Sequence, residues 1–107
     1  MPRHVNQPQW TDPGLLVLGS LAAEPRHGYA IVQDVEATAG GRLGPGTLYG
    51  AIARLEARGL IEALPAVDRR RPYRITAAGL SVLGDEVSRM GRFVEASRLR
   101  MRARGAA

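Results

Sequence analysis

The run Gly44-Pro45-Gly46-Thr47-Leu48-Tyr49-Gly50-Ala51-Ile52-Ala53-Arg54-Leu55-Glu56-Ala57-Arg58-Gly59-Leu60-Ile61 constrains this chain more than any other. It reads as a short helix with sharply marked ends that passes directly into a strand. Proline suits the first helical position, glycine is acceptable just before it, and a glycine just past the last turn is a common stop. At about 100° per residue, Leu48, Ala51, Ile52 and Leu55 share one face. The opposite face presents Gly46, Tyr49, Gly50 and Ala53, flanked by Thr47 and Arg54. A helix exposed only to solvent usually carries long charged side chains there. A small-sided face instead lets the helix approach another surface closely, whether DNA or a protein partner.

Leu60 to Leu64 and Tyr73 to Thr76 read as two short strands, with Pro65 and Pro72 at their ends. Asp68-Arg69-Arg70-Arg71 forms the tip between them. A helix followed by a hairpin with arginines at its tip is the layout of a winged helix-turn-helix, a module that sets a helix into the DNA major groove. Upstream, Asp12-Pro13 is a strong helix start, and Leu15, Leu16, Val17, Leu18 and Leu21 make that helix apolar over much of its circumference. A second helix is expected from Gly28 to Ala39, with Ile31, Val32 and Val35 inward and Gly40-Gly41 as its stop.

The last segment carries a second periodic signal. Thr76 can cap a long helix in which Leu80, Leu83, Val87, Met90, Val94, Ser97 and Met101 recur at alternating spacings of about three and four, the a/d seam of a coiled coil. Only Ser97 is polar. A small domain cannot cover such a stripe along its whole length, so pairing with a second copy is the expected solution. Folding back onto the first helix of the same chain is the alternative. The fold class expected is therefore mainly α with a small two-stranded antiparallel wing. Its parts are an N-terminal arm (1–11), a winged helix-turn-helix (12–76), and a C-terminal dimerisation helix with a basic tail (77–107).

The chain has 107 residues, enough for one compact domain, and no cysteine, which excludes disulfides, thiolate metal sites and a cysteine nucleophile. No apolar run is long enough to span a bilayer, and the polar N-terminus does not resemble a signal peptide, so a cytoplasmic protein with no membrane partner is expected. The net charge of +5 is unevenly placed. Residues 1–88 carry nine arginines against nine Asp and Glu, whereas residues 89–107 carry six arginines against Glu95 alone. That tail can touch phosphates or serve simply as a solvated helix face.

Catalysis has little to stand on. His4 lies in the arm and His27 at the start of the second helix, and neither belongs to a Ser-His-Asp arrangement or a carboxylate pair. Gly44-Pro45-Gly46 lacks the Gly-Lys-Ser/Thr ending of a phosphate loop. The expectation is no enzyme and no cofactor. His4 and His27 are thin candidates for a metal ion, since two lone histidines without thiols do not specify a site. DNA contact is the chemistry these residues suit best. Arg69, Arg70, Arg71 and Arg74 offer planar donors to phosphates or minor-groove edges. Thr47 and Tyr49 can donate to phosphate oxygens or touch a thymine methyl, and Arg54 can reach phosphate or guanine.

Four runs together resemble the PadR family of bacterial transcriptional regulators. They are Leu15-Leu16-Val17-Leu18 to Ala23; His27-Gly28-Tyr29-Ala30-Ile31; Pro45-Gly46-Thr47-Leu48-Tyr49 through Leu55-Glu56 to Gly59-Leu60-Ile61; and Arg71-Pro72-Tyr73-Arg74-Ile75-Thr76-Ala77-Ala78-Gly79. The resemblance covers Pro13 to Arg102 and matches the short branch of the family, with a single C-terminal helix. It implies a homodimeric winged-helix repressor, bound to a pseudo-palindromic operator in double-stranded DNA and released by an effector. It also implies that Tyr29, Tyr49, the helix start Pro45-Gly46 and the wing lie near DNA, with packing at the junction of the second and third helices as the alternative for Tyr29. Gly50 is a DNA-contact candidate by its place on the same outer face as Tyr49. The family is associated with phenolic acids and flat aromatic drugs. An effector of this kind would sit at the dimer interface or between wing and long helix, where Trp10 and Phe93 could line an apolar pocket or simply pack. A ligand- or metal-responsive sensor and a protein-interaction module on the same fold are the alternatives. Three positions depart from the family pattern: Gly44 stands where Ser is frequent, Gly50 where Pro is frequent, and Ala66 to Arg71 contain no wing glycine.

Overall fold

A computed structural model describes residues 12–39 and 44–106. The element order is α1 (Pro13–Leu21), β1 (Arg26–His27), α2 (Gly28–Ala39), α3 (Pro45–Ala57), β2 (Ile61–Ala63), β3 (Pro72–Ile75) and α4 (Ala77–Ala106). The arm 1–11, with Trp10 and His4, and the turn 40–43 lie outside the described residues.

Three of the four described helices begin where a side chain accepts from a free N–H group, and α3 is the exception. Asp12 Oδ1 accepts from the amides of Gly14 at 2.8 Å and Leu15 at 3.4 Å, which caps α1. Pro45 opens α3 behind Gly44, with no side-chain cap. Thr76 caps α4 by accepting from Gly79 N at 3.1 Å.

The core is built from one stripe of each of the first three helices plus the start of β2. Val17, Leu18 and Leu21 of α1 meet Ile31, Val32 and Val35 of α2, and Leu48, Ala51, Ile52 and Leu55 of α3, with Leu60 and Ile61 closing the base. The four α3 positions are those expected from helical spacing. Burying side chains of this size contributes roughly 1.5–3 kcal/mol each.

β2 and β3 form the expected antiparallel hairpin, with Ile61 opposite Ile75, Glu62 opposite Arg74 and Ala63 opposite Tyr73. The sheet has a third member that the sequence reading lacked. β1 pairs with the other edge of β3, Arg26 opposite Tyr73 and His27 opposite Pro72, which gives the order β1-β3-β2. Proline is tolerated at the first residue of a strand because it has no N–H to donate to the ladder. β1 thereby ties the start of α2 to the base of the wing.

α4 is attached at its first turn. Thr76 N donates to Leu60 O at 3.1 Å and Thr76 Oγ1 to Gly59 O at 2.8 Å. Gly79 lies so close to this junction that a Cβ there would collide with the Leu60 carbonyl and the Ile75 side chain. Val82 and Leu83 then rest against the core. Farther along, the helix leaves the domain: Val94 is 44% exposed and Met101 63%. The described part of the chain does not fold back over this stripe.

Gly79→Ala forces a methyl group into a backbone oxygen, which cannot rotate away. The expected result is a loss of about 2 kcal/mol or more in unfolding free energy, read from urea denaturation.

Candidate nucleic-acid interface

The rotation of α3 is set by its buried stripe, and this turns Pro45, Gly46, Thr47, Tyr49, Ala53 and Arg54 outward. Gly50 is half-buried, and Arg54 folds back toward it: a Cβ at residue 50 would lie 3.4 Å from Arg54 Nη1. Tyr49 is 46% exposed, and one edge of its ring rests on the backbone of Gly28. A Cβ at residue 28 would sit 2.5 Å from Tyr49 Cε1, so only glycine lets the ring lie there. The two glycine-tyrosine runs of the sequence thus meet in space. Tyr29, 57% exposed, stands on the next residue of α2, and its hydroxyl accepts from Gln33 Nε2 at 3.3 Å. The tyrosine hydroxyl hydrogen is free to be donated elsewhere.

The wing tip closes through paired backbone bonds, Val67 N to Arg70 O at 2.7 Å and Arg70 N to Val67 O at 2.8 Å. Asp68 and Arg69 occupy the centre of the turn with φ of 50° and 65°. Positive φ at both central residues is the type I′ hairpin turn, usually filled by Asn-Gly or Asp-Gly. The absence of a wing glycine therefore leaves the turn type intact and places strain of about 1–2 kcal/mol on Arg69, a long side chain held in a left-handed conformation. The tip arginines Arg69, Arg70 and Arg71 are all exposed.

Arg74 differs from them. It faces Glu62 across the hairpin and donates from Nε at 2.8 Å, with a second contact through Nη2. Its guanidinium is already engaged. Arg26 is engaged too, with Nε donating to Ser20 O at 3.0 Å and Nη1 lying 3.8 Å from Glu24.

His27 caps α2 through Nδ1, which accepts from Ala30 N at 3.3 Å, and its Nε2 stands 3.2 Å from Arg70 Nη1. The place of His27 at a helix start agrees with the sequence; the approach of the wing arginine was not foreseen. Among the described residues no group of three or more metal-ligating side chains comes together, and His4 lies outside them. Of the two aromatic residues suggested for an effector, Trp10 also lies outside them. Phe93 is 67% exposed on α4. Among the described residues no helix is long and apolar enough to cross a membrane.

Residues 17–85 match the family model described as the Transcriptional regulator PadR-like family. The chain is 49% identical over 81 residues to an uncharacterized 37.1 kDa protein in transposon TN4556 of Streptomyces fradiae, a match covering 76% of this chain and 24% of that protein, so the chain spans about a quarter of that relative. Among solved structures it is similar to a PadR family transcription regulator from Clostridium difficile R20291, with a TM-score of 0.69 at 25% identity over 78% of this chain and 91% of that one. It is also similar to a PadR family transcriptional regulator from Eggerthella lenta DSM 2243, with a TM-score of 0.65 at 30% identity over 82% of each chain.

Arg69→Gly relieves the left-handed strain. Its expected effect on folding is a gain of about 0.5–1 kcal/mol in thermal or urea denaturation, despite the greater freedom of glycine in the unfolded chain.

Proposed function

Given that this chain belongs to the PadR-like family of transcriptional regulators, we propose that it is a homodimeric repressor that recognises a pseudo-palindromic operator and is released by a small aromatic effector. The observation that carries the reading is the outward face of α3. Its residues are small apart from Tyr49 and the flanking Arg54; the Tyr49 ring lies against Gly28, and the adjacent His27 stands 3.2 Å from Arg70 of the hairpin tip. A helix with so little side-chain bulk can enter a major groove deeply. Thr47, Tyr49 and Tyr29 then offer hydroxyl donors to phosphate oxygens, and Arg54 offers a guanidinium to phosphate or guanine. Arg69, Arg70 and Arg71 contact the flanking backbone or the minor groove. Arg74 contributes through its bond to Glu62, which holds the two strands of the hairpin in register.

The second copy enters through α4. Leu80, Val87, Val94 and Met101 are exposed and Leu83 and Met90 half-buried, all on one stripe, and only another stripe of the same kind covers them without leaving apolar surface in water. Pairing of two such helices sets two α3 helices on one side of the dimer. Half-sites about one helical turn apart, roughly 34 Å or a multiple, follow from that symmetry. Few side chains on the outer face of α3 can read base edges, so each subunit supplies modest base specificity and the spacing supplies the rest. Release by a small aromatic compound would act on α4, where Phe93 offers exposed apolar surface beside the seam.

Selection from a random duplex pool at near-physiological salt tests the reading, and the expected product is a two-fold symmetric site. Tyr49→Ala and Arg70→Ala should each weaken binding to that site about tenfold or more in gel shifts, with thermal stability and dimer mass unchanged. Removing the arginine should also flatten the salt dependence. Unchanged affinity in both variants would assign the DNA to another face.

A further inference from the structure

Past Leu83 the apolar stripe of α4 stands in water: Val87, Val94 and Met101 are all exposed. The two flanks of that stripe differ in kind. One flank carries Gly84 and Gly91 at a heptad step, and a Cβ at either would meet nothing within 4 Å. The other flank carries Glu86, Phe93 and Arg100 at the same step. Phe93 and Arg100 are exposed. Glu86 is half-buried, and its Oε2 accepts from Arg89 one turn on, which leaves Oε1 for a second donor.

Charge also changes along the helix. Residues 77–88 hold Asp85 and Glu86 and no arginine, whereas residues 98–106 hold Arg98, Arg100, Arg102 and Arg104 and no carboxylate.

Two copies can join such stripes in two directions, and each direction brings different flanking residues together. Pointing the same way, the helices set Glu86 beside the partner's Gly91 and Phe93 beside the partner's Arg98. They also crowd the two arginine-rich ends together. Pointing opposite ways, Met90 packs against the partner's Val94 and Leu83 against the partner's Met101. Each flank then meets its own kind. Phe93 meets the partner's Phe93, and Glu86 meets the partner's Arg100. On the other flank Gly91 meets the partner's Gly91, where the missing side chains let the backbones approach.

We infer that two copies join through α4 in the antiparallel direction, with the Phe93 pair at the two-fold axis and a Glu86–Arg100 ion pair on each side of it. The inference rests on the homodimer reading for the second copy, and on the charge and heptad order of α4 for the direction. The acidic start of each helix lies along the basic end of the other, so attraction replaces repulsion at both ends of the seam. The rings of Phe93, 67% exposed in one chain, shield each other from water. The two winged domains sit at opposite ends of a seam about 40 Å long, where parallel pairing would set them side by side.

The chain has no cysteine, so one introduced cysteine carries one spin label per copy. Arg92→Cys places the label beside the axis, and Arg102→Cys places it toward the end of the helix, both away from the seam. Pulsed electron paramagnetic resonance of each labelled dimer reads the separation. The antiparallel direction predicts that the pair at 102 is at least about 10 Å farther apart than the pair at 92. The parallel direction predicts nearly equal separations. Charge reversal supplies a second readout. Glu86→Arg and Arg100→Glu should each weaken the dimer about tenfold in sedimentation equilibrium at low salt, and the double variant should recover most of that loss. Circular dichroism of each variant separates loss of pairing from loss of helix. Unequal separations with rescue by the double variant support the proposal. A dimer with near-equal separations, or one indifferent to both reversals, overturns it and leaves the homodimer reading standing. A chain that stays monomeric at every accessible concentration fails the homodimer reading and this proposal with it.

Discussion

Burial of one stripe of α3 is the constraint on which the rest of this structure depends. Leu48, Ala51, Ile52 and Leu55 are each at most 5% exposed, wedged between α1, α2 and the start of β2. A helix anchored on four positions of one face has no rotational freedom left. Its outer face is therefore decided by the same contacts that stabilise the domain. Tyr49 owes its position to that rotation, and its ring is held a second time by the backbone of Gly28. Shape and stability here come from one set of apolar contacts, and the residues offered to a partner lie at positions the core does not use.

Two small attachments carry that arrangement outward. β1, only Arg26–His27, joins the start of α2 to β3 and so fixes the wing relative to the helices. The Thr76 cap and the close approach at Gly79 fix α4 to the end of α3. A helix of 30 residues extends about 45 Å, so its direction at the first turn determines where its far end lies. Small errors at Gly79 would become large displacements at Met101. The strained Arg69 turn sits at the other extremity, and it keeps a guanidinium where glycine would be easier to accommodate. Strain retained at an exposed tip is consistent with use of that side chain by a partner.

The parts legible in the sequence are those governed by local rules. The starts of α1, α3 and α4 are marked by Asp12, Pro45 and Thr76, and the buried stripe of α3 follows from its periodicity. The exposed stripe on α4 was written in its heptad spacing. What escaped depended on distant pairing. A two-residue strand has no alternation to read, and β1 exists because Pro72 and Tyr73 come alongside it from far along the chain, as the pairing of Arg26 with Tyr73 and His27 with Pro72 records. Arg74 looked like one of four equivalent arginines; the hairpin register sets it opposite Glu62 and so removes it from the free group. The His27–Arg70 contact depends on both β1 and the turn type, and the turn was hidden because neither Asp68 nor Arg69 is glycine.

On the proposed function, the outer face of α3 and the hairpin tip form a single surface for duplex DNA. Backbone amide chemical-shift mapping of the labelled protein with a duplex tests it most directly. The expected result is a contiguous set of large perturbations over residues 45–54 and 67–71, with the α1 core resonances little changed. Duplex binding that perturbs only the arginine-rich end of α4, or no perturbation at low salt, would contradict it.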